Sequence, residues 1–198
     1  MAQTSQMPEE PGTEARSAIA LSPGLLFEPV AAEHVDDLFE LHSDPALWEH
    51  YPEGRHDDVR QTGALVEAGM ADWQRDGLGY WTIRSASTRE VVGIGGVAKK
   101  LPGFWNLYYR FGSAHQGRGY ATETARLAVA AAKESDAGAP VVASLLHHNG
   151  ASRRVVEKLG FLLIQSGPDR ADLSATRCRY ADRRLDVSTL DRLLAGGR

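Results

Sequence analysis

The sequence predicts an α/β (α+β) domain, a mixed and mostly antiparallel central sheet flanked by helices. Three observations carry this reading. Apolar residues recur at helical spacing in two early segments, at Val35, Leu38, Phe39 and His42 and again at Val59, Val66, Met70 and Trp73. The period then shortens to YWTIR, VVGIGGVAK and WNLYYRF, runs rich in aromatic and β-branched residues separated by turn chemistry at SASTRE and LPG, as an antiparallel meander requires. Beyond Phe111, helix-forming and strand-forming stretches alternate, which packs helices against the sheet.

Residues 1–22 carry few bulky apolar groups to offset ordering entropy, so they read as a loose tail ahead of a domain spanning 23–198. A short strand is expected at 27–30, followed by a helix that Pro45 closes. The second helix runs over about 57–76, with Gly77 and Gly79 beyond its end. After the meander come a Gly-rich turn, an Ala-rich helix over about 120–133, the strand PVVASLL and a helix over about 151–159. Gly160 and Phe161 then resemble a C-terminal cap with its hydrophobic contact. FLLIQ and TRCRYADRRL follow as strands, and DVSTLDRLL as a short terminal helix.

The 198 residues suit one domain with a sizeable core. Lys plus Arg total 22 against 26 Asp plus Glu, a net charge of −4, and the two signs are interleaved. That pattern argues against nucleic acid as a partner. Cys178 is the single cysteine, so no internal disulfide and no cysteine-based zinc cage can form, which fits a reducing cytoplasm and no metal. The longest apolar runs fall far short of the ~20 residues that span a bilayer. The first residues have neither the basic start nor the apolar middle of a secretory signal.

Three glycine clusters compete for a phosphate-binding role. GIGGVA at 93–98 formally matches a dinucleotide fingerprint, but Lys99, Lys100 and Pro102 follow where a helix should begin, so it reads as a strand with a close backbone contact. GSAHQGRG at 112–119 has Arg118 and Gly119 where a nucleoside-triphosphate loop needs Lys and Ser or Thr. The third, Gln116-Gly117-Arg118-Gly119-Tyr120-Ala121, follows a strand and opens the Ala-rich helix. Glycines there let backbone N–H groups turn outward at a helix N-terminus, an anion cradle to which Arg118 adds charge. A bare strand-to-helix turn is the alternative reading.

This segment resembles the Q/R-x-x-G-x-G/A motif of the GNAT N-acetyltransferases. HSDPALW, VVGIGG, GRGYATETA and HHNGASRRVVEKLGF, in this order, are similar to the RimJ/RimL-like branch, and the resemblance covers roughly residue 25 to the C-terminus. It implies acetyl-CoA as co-substrate, with no metal and a sheet splayed at the acetyl-CoA cleft. An amine of a protein N-terminus or small molecule is then the acceptor, and the protein is a monomer or homodimer. The cofactor-binding residues it implies are Phe111, Gly112, Gln116, Gly117, Arg118, Gly119, Tyr120 and Ala121, with Asn149 on the pantetheine arm and Arg154 or Lys158 near the nucleotide phosphates. Ser152 would face the thiol as general acid or water holder. Capping of the helix that starts near residue 150 also explains Asn149 and Ser152.

At one place the chain departs from that pattern. Many relatives carry a Glu early in the strand before the Gly-rich loop, and here the position is Asn106, which cannot take a proton. His147 or His148, with an ordinary pKa near ~6.5, are the candidates to replace it, alongside a water chain. Trp48, Tyr51, Trp73, Trp81, Trp105, Tyr108 and Tyr109 supply an acceptor wall and core between them. Loss of the strand Glu also admits a non-catalytic acyl-CoA-binding domain, or an acyltransferase with another donor or acceptor.

Overall fold

A computed structural model describes residues 20–22, 24–100 and 103–196. Residues 1–19 of the expected tail, and Leu101 and Pro102 of the expected LPG turn, lie outside these. The described strands are β1 (Ala20–Ser22), β2 (Leu25–Pro29), β3 (Tyr80–Ser85), β4 (Val91–Lys100), β5 (Phe104–Phe111), β6 (Val141–Leu146), β7 (Leu162–Pro168) and β8 (Thr176–Ala181). They form one sheet in the order β1-β2-β3-β4-β5-β6-β8-β7. The described helices are α1 (Val35–Ser43), α2 (Val59–Asp76), α3 (Tyr120–Ser135), α4 (Gly150–Lys158) and α5 (Val187–Gly196).

The expected tail boundary at residue 22 is corrected. Ala20, Leu21 and Ser22 pair antiparallel with Phe27, Leu26 and Leu25, because a tight turn at Gly24 lets the chain fold back and satisfy the backbone groups of β2. The meander is present as expected, since β3, β4 and β5 pair antiparallel in succession. α2 begins one residue after Asp58, whose carboxylate accepts from Arg60 N–H at 2.8 Å while Gln61 Oε1 accepts from Asp58 N–H at 3.2 Å. These two bonds satisfy otherwise orphaned donors and set the start of the helix.

The helices cover both faces of the sheet. On one, Ala125, Ala128 and Ala132 of α3 pack with Trp105, Leu107 and Phe111 of β5. A Cβ at Gly95 would stand 2.7 Å from Thr124 Cγ2, so the VVGIGG segment is the close contact that admits α3 against β4. On the other face, Leu38 and Leu41 of α1 and Val66 of α2 pack with Ile94 of β4, Leu47 and Trp48. Residues along β5 therefore alternate between the two helical layers.

One pairing breaks the antiparallel rule. β5 and β6 run parallel and register only at Trp105↔Val141 and Asn106↔Val142. Beyond that point β6 continues against β8 as far as Leu146 while β5 continues against β4 as far as Phe111. The two strands part, and the gap between them is a cleft.

Candidate active site

The cleft encloses about 880 Å³ between residues 107–111 of β5 and 143–146 of β6. Phe111, Gln116, Gly117, Gly119, Tyr120 and Ala121 line one end, with Asn149, Ser152, Arg154 and Lys158 of the α4 region opposite. At the other end stand His42, Trp48, His50, Tyr51, His56, Tyr80, Tyr108 and Arg110.

The loop into α3 holds two residues in the left-handed region, Gly117 at φ 73° and Gly119 at φ 84°. An L-side chain is disfavoured there, which is why glycine occupies both positions. Gln116 fixes the loop through its Nε2, which donates to the Phe111 carbonyl at 3.2 Å. The N-cap of α3 is Gly119, which has no side chain to close the helix start. Its first-turn N–H groups therefore point to solvent and the cleft, with the positive end of the helix dipole behind them.

α4 is built the opposite way. Asn149 is its cap, and Oδ1 accepts from the Ser152 N–H at 3.0 Å. The Ser152 carbonyl accepts from the Tyr109 hydroxyl at 3.4 Å, tying α4 to β5 across the cleft. The Ser152 hydroxyl makes no hydrogen bond among the described residues. Burial pushes the Tyr109 phenol up to about 12, so it keeps its proton at neutral pH.

Several sequence-selected residues lie elsewhere. Gly112 and Arg118 do not line the cleft, and Arg118 is exposed. Neither His147 nor His148 lines it. Both rings are exposed, His147 beside Cys178 with Nδ1 3.8 Å from its Sγ, and His148 with Nε2–H donating to the His50 carbonyl at 2.9 Å. The end of β6 turns before either ring reaches the gap, so the expectation that one of them faces the reacting centre is corrected. Of the aromatics, Trp48, Tyr51, Tyr108 and Tyr109 line the cleft, whereas Trp73, Trp81 and Trp105 pack in the core. Asn106 does not itself line the cleft, and its Nδ2 donates to the hydroxyl of the lining residue Tyr80 at 3.3 Å.

Other histidines occupy the cleft instead. His42 Nδ1–H donates to the Leu38 carbonyl at 2.7 Å, which fixes the tautomer and leaves Nε2 to accept from the Tyr108 hydroxyl at 3.3 Å. Burial foremost drives its pKa down to about 4, with His56 and Arg110 adding repulsion. The His56 ring stacks on His42 at 4.7 Å between centroids, and its pKa is lowered by burial and then by Arg110. Both rings are thus neutral at neutral pH. Sequence periodicity had counted His42 only as an apolar-face position, and it carries no signal for the β5 residues that reach it from 66 positions away. Among the described residues no group of three His, Cys, Asp or Glu is arranged to hold a metal ion, and no helix is long and apolar enough to cross a membrane.

Solved structures share this fold. An acetyltransferase from Agrobacterium tumefaciens is 22% identical, with 90% of this chain and 99% of that chain covered at a TM-score of 0.66. The ribosomal L7/L12 alpha-N-protein acetyltransferase RimL in complex with coenzyme A is 19% identical over 85% and 98% of the two chains, also at 0.66. The Microcin C7 self-immunity acetyltransferase MccE, in complex with acetyl-CoA and AMP, is 17% identical over 84% and 96%, at 0.65. At these identities the likeness concerns the fold. No curated protein matches the chain significantly. The acetyltransferase (GNAT) domain profile matches residues 24–162, the span that holds the meander, the glycine loop and α4, and by that match the chain belongs to the GNAT acetyltransferase family.

Proposed function

We propose that the protein is an acetyl-CoA-dependent N-acetyltransferase that acetylates a primary amine of a small molecule or a protein N-terminus, in the cytoplasm. The observation that carries this reading is the contrast between the two helix starts flanking the cleft. α4 is closed by Asn149, whereas α3 is open, uncapped and entered through two left-handed glycines. An open helix start of this kind suits the pyrophosphate of CoA. That RimL and MccE bind coenzyme A or acetyl-CoA on the same fold supports the same donor here.

The residues then divide the work along the cleft. The pyrophosphate rests on the N–H groups of residues 117–121, with Arg154 and Lys158 supplying positive charge from α4. Asn149 keeps its Oδ1 on the helix and has its Nδ2 left for the pantetheine amides. A backbone N–H of β5 faces the thioester oxygen and stabilises the negative charge that develops there. The neutral amine attacks the carbonyl carbon, a C–N bond forms, and the C–S bond breaks. The departing thiolate takes a proton from the Ser152 hydroxyl or a water bound to it, and the proton that the nitrogen loses passes through water to replace it.

The test is release of free thiol from acetyl-CoA across primary amines, with CoA binding measured separately by calorimetry. Turnover of any amine class supports the reading. CoA binding without turnover favours a non-catalytic acyl-CoA-binding domain, a reading kept open because Asn106 stands at the carboxylate position and bonds to Tyr80.

A further inference from the structure

Arg110 is a cation in the cleft wall without a counter-charge. Its Nε–H donates to the Tyr108 hydroxyl at 3.1 Å, one terminal nitrogen donates to the Leu47 carbonyl, and its Cζ lies 3.3 Å from the centroid of the Trp48 ring. The second terminal nitrogen makes no hydrogen bond, and no carboxylate pairs with Arg110, among the described residues. Arg177, the other arginine near the acceptor end, is already neutralised by Asp169.

The surroundings sharpen this imbalance. Arg110 contributes to holding His42, His50 and His56 below the usual imidazole range, so these rings bring no charge of their own at neutral pH. Glu49 is the only carboxylate among the described lining residues, and it is exposed. Apart from the exposed Glu49, the unpaired charge at the acceptor end is thus the cation of Arg110, and its walls are aromatic. A half-buried guanidinium with an unused donor is costly until an anion meets it.

That end is also bridged. The connection between α1 and α2 touches the far wall twice, where His148 donates to the His50 carbonyl at 2.9 Å and where the Arg177 guanidinium lies 5.7 Å from the Tyr51 ring centroid. These bridges favour a compact acceptor over a long chain threading through.

Resting on the N-acetyltransferase reading above, we infer that the acceptor is a small amine carrying an anionic group and an apolar or aromatic body. The anion, a carboxylate or a phosphate, takes charge-assisted hydrogen bonds from Arg110, and the body packs among Trp48, Tyr51, Tyr80 and Tyr108.

The test uses matched pairs in which the anion is removed or neutralised far from the amine, so that the amine's basicity barely changes: 4-(aminomethyl)benzoate with its benzamide, and tyramine phosphate with tyramine. Each is measured as kcat/KM at saturating acetyl-CoA, and as calorimetric affinity for the full chain loaded with CoA. The inference expects the anionic member to lead by about tenfold or more in at least one pair. It expects R110Q to bring that ratio near one and R110K to retain part of it, and the leading pair tells carboxylate from phosphate. Ratios near one throughout in the wild type, or a ratio that survives R110Q, overturn it. Absence of turnover for every amine would instead count against the enzyme reading, and the binding ratios would still decide the role of Arg110.

Discussion

Gly119→Ala adds one methyl group at the mouth of α3, and the structure separates its effect on the fold from its effect on the ligand. A Cβ at Gly119 or at Gly117 would meet nothing within 4 Å, so no clash arises. What remains is backbone strain, because φ is 84° at Gly119 and 73° at Gly117. Holding an L-residue in that region costs about 1–2 kcal/mol. For a domain of this size that lowers Tm by about 2–8 °C. The ligand effect should be larger, since on the proposed function the methyl stands where a phosphate approaches the N–H groups of the first turn. Losing one hydrogen bond to a charged group costs about 1.5–3 kcal/mol, or about 10- to 150-fold in Kd. Gly63 in α2 serves as the control, because a Cβ there is also in open space but in ordinary helical backbone. Its alanine variant should bind CoA as the wild type does. Calorimetric titration of CoA beside thermal melting of the three variants measures both quantities. A Kd within twofold of wild type for folded Gly117→Ala and Gly119→Ala would refute the cradle.

Three further outcomes are expected. Because the folded-state pKa of His42, about 4, lies below its unfolded value, the unfolded chain binds the extra proton; the stability His42 contributes is present above pH 6.5 and is lost as pH falls toward 4. The loss reaches about 2 kcal/mol by pH 5, and urea unfolding of His42→Gln should show a shallower decline over that window, identical slopes counting against it. Asn149→Asp retains a capping oxygen and Ser152→Ala leaves the cap intact, so both should lose turnover about tenfold or more while Tm shifts little; activity loss that merely tracks Tm would leave capping as their whole role. Single substitutions of His147 and His148 should keep the pH profile of turnover, since neither ring lines the cleft, and a lost acidic limb in either variant would contradict that placement.

What could be read from the chain follows the range of the interactions involved. Asp58 with Gln61, the three aromatic runs of the meander, and the step from Phe111 through Gly117 and Gly119 into an Ala-rich helix are all decided within a few residues, and so they leave a local pattern. The same holds for Asn149, whose cap bond spans three positions. Nothing adjacent in sequence marks Arg110: its alternation with Tyr109 turns it to the α1 layer, where Trp48 and Leu47 meet it from more than sixty residues away. The histidines misled for the same reason. HHNG resembles a polar strand end beside a cleft, but the orientation of the two rings is set by Cys178 and His50, which no local pattern connects to them. β1 went unread because its pairing is backbone to backbone and does not depend on a bulky apolar sequence.

Two residue pairs join the strands before Phe111 to those after Val141, and this gives the sheet a seam. On each side the strands come from one contiguous stretch of chain, so each half has its own strand pairing, and the side-chain core of Trp105, Leu107, Val141 and Leu145 is what they share. α3, which packs on β4 and β5 and touches α4, is the clasp laid across the join. Parting the seam would uncover two raw strand edges at once, the sort of surface that invites mispairing. A molecule bound along the gap acts as a rivet between the halves. Occupancy of the cleft should therefore stiffen this seam, and hydrogen exchange of the β6 amides should slow when the cleft is filled.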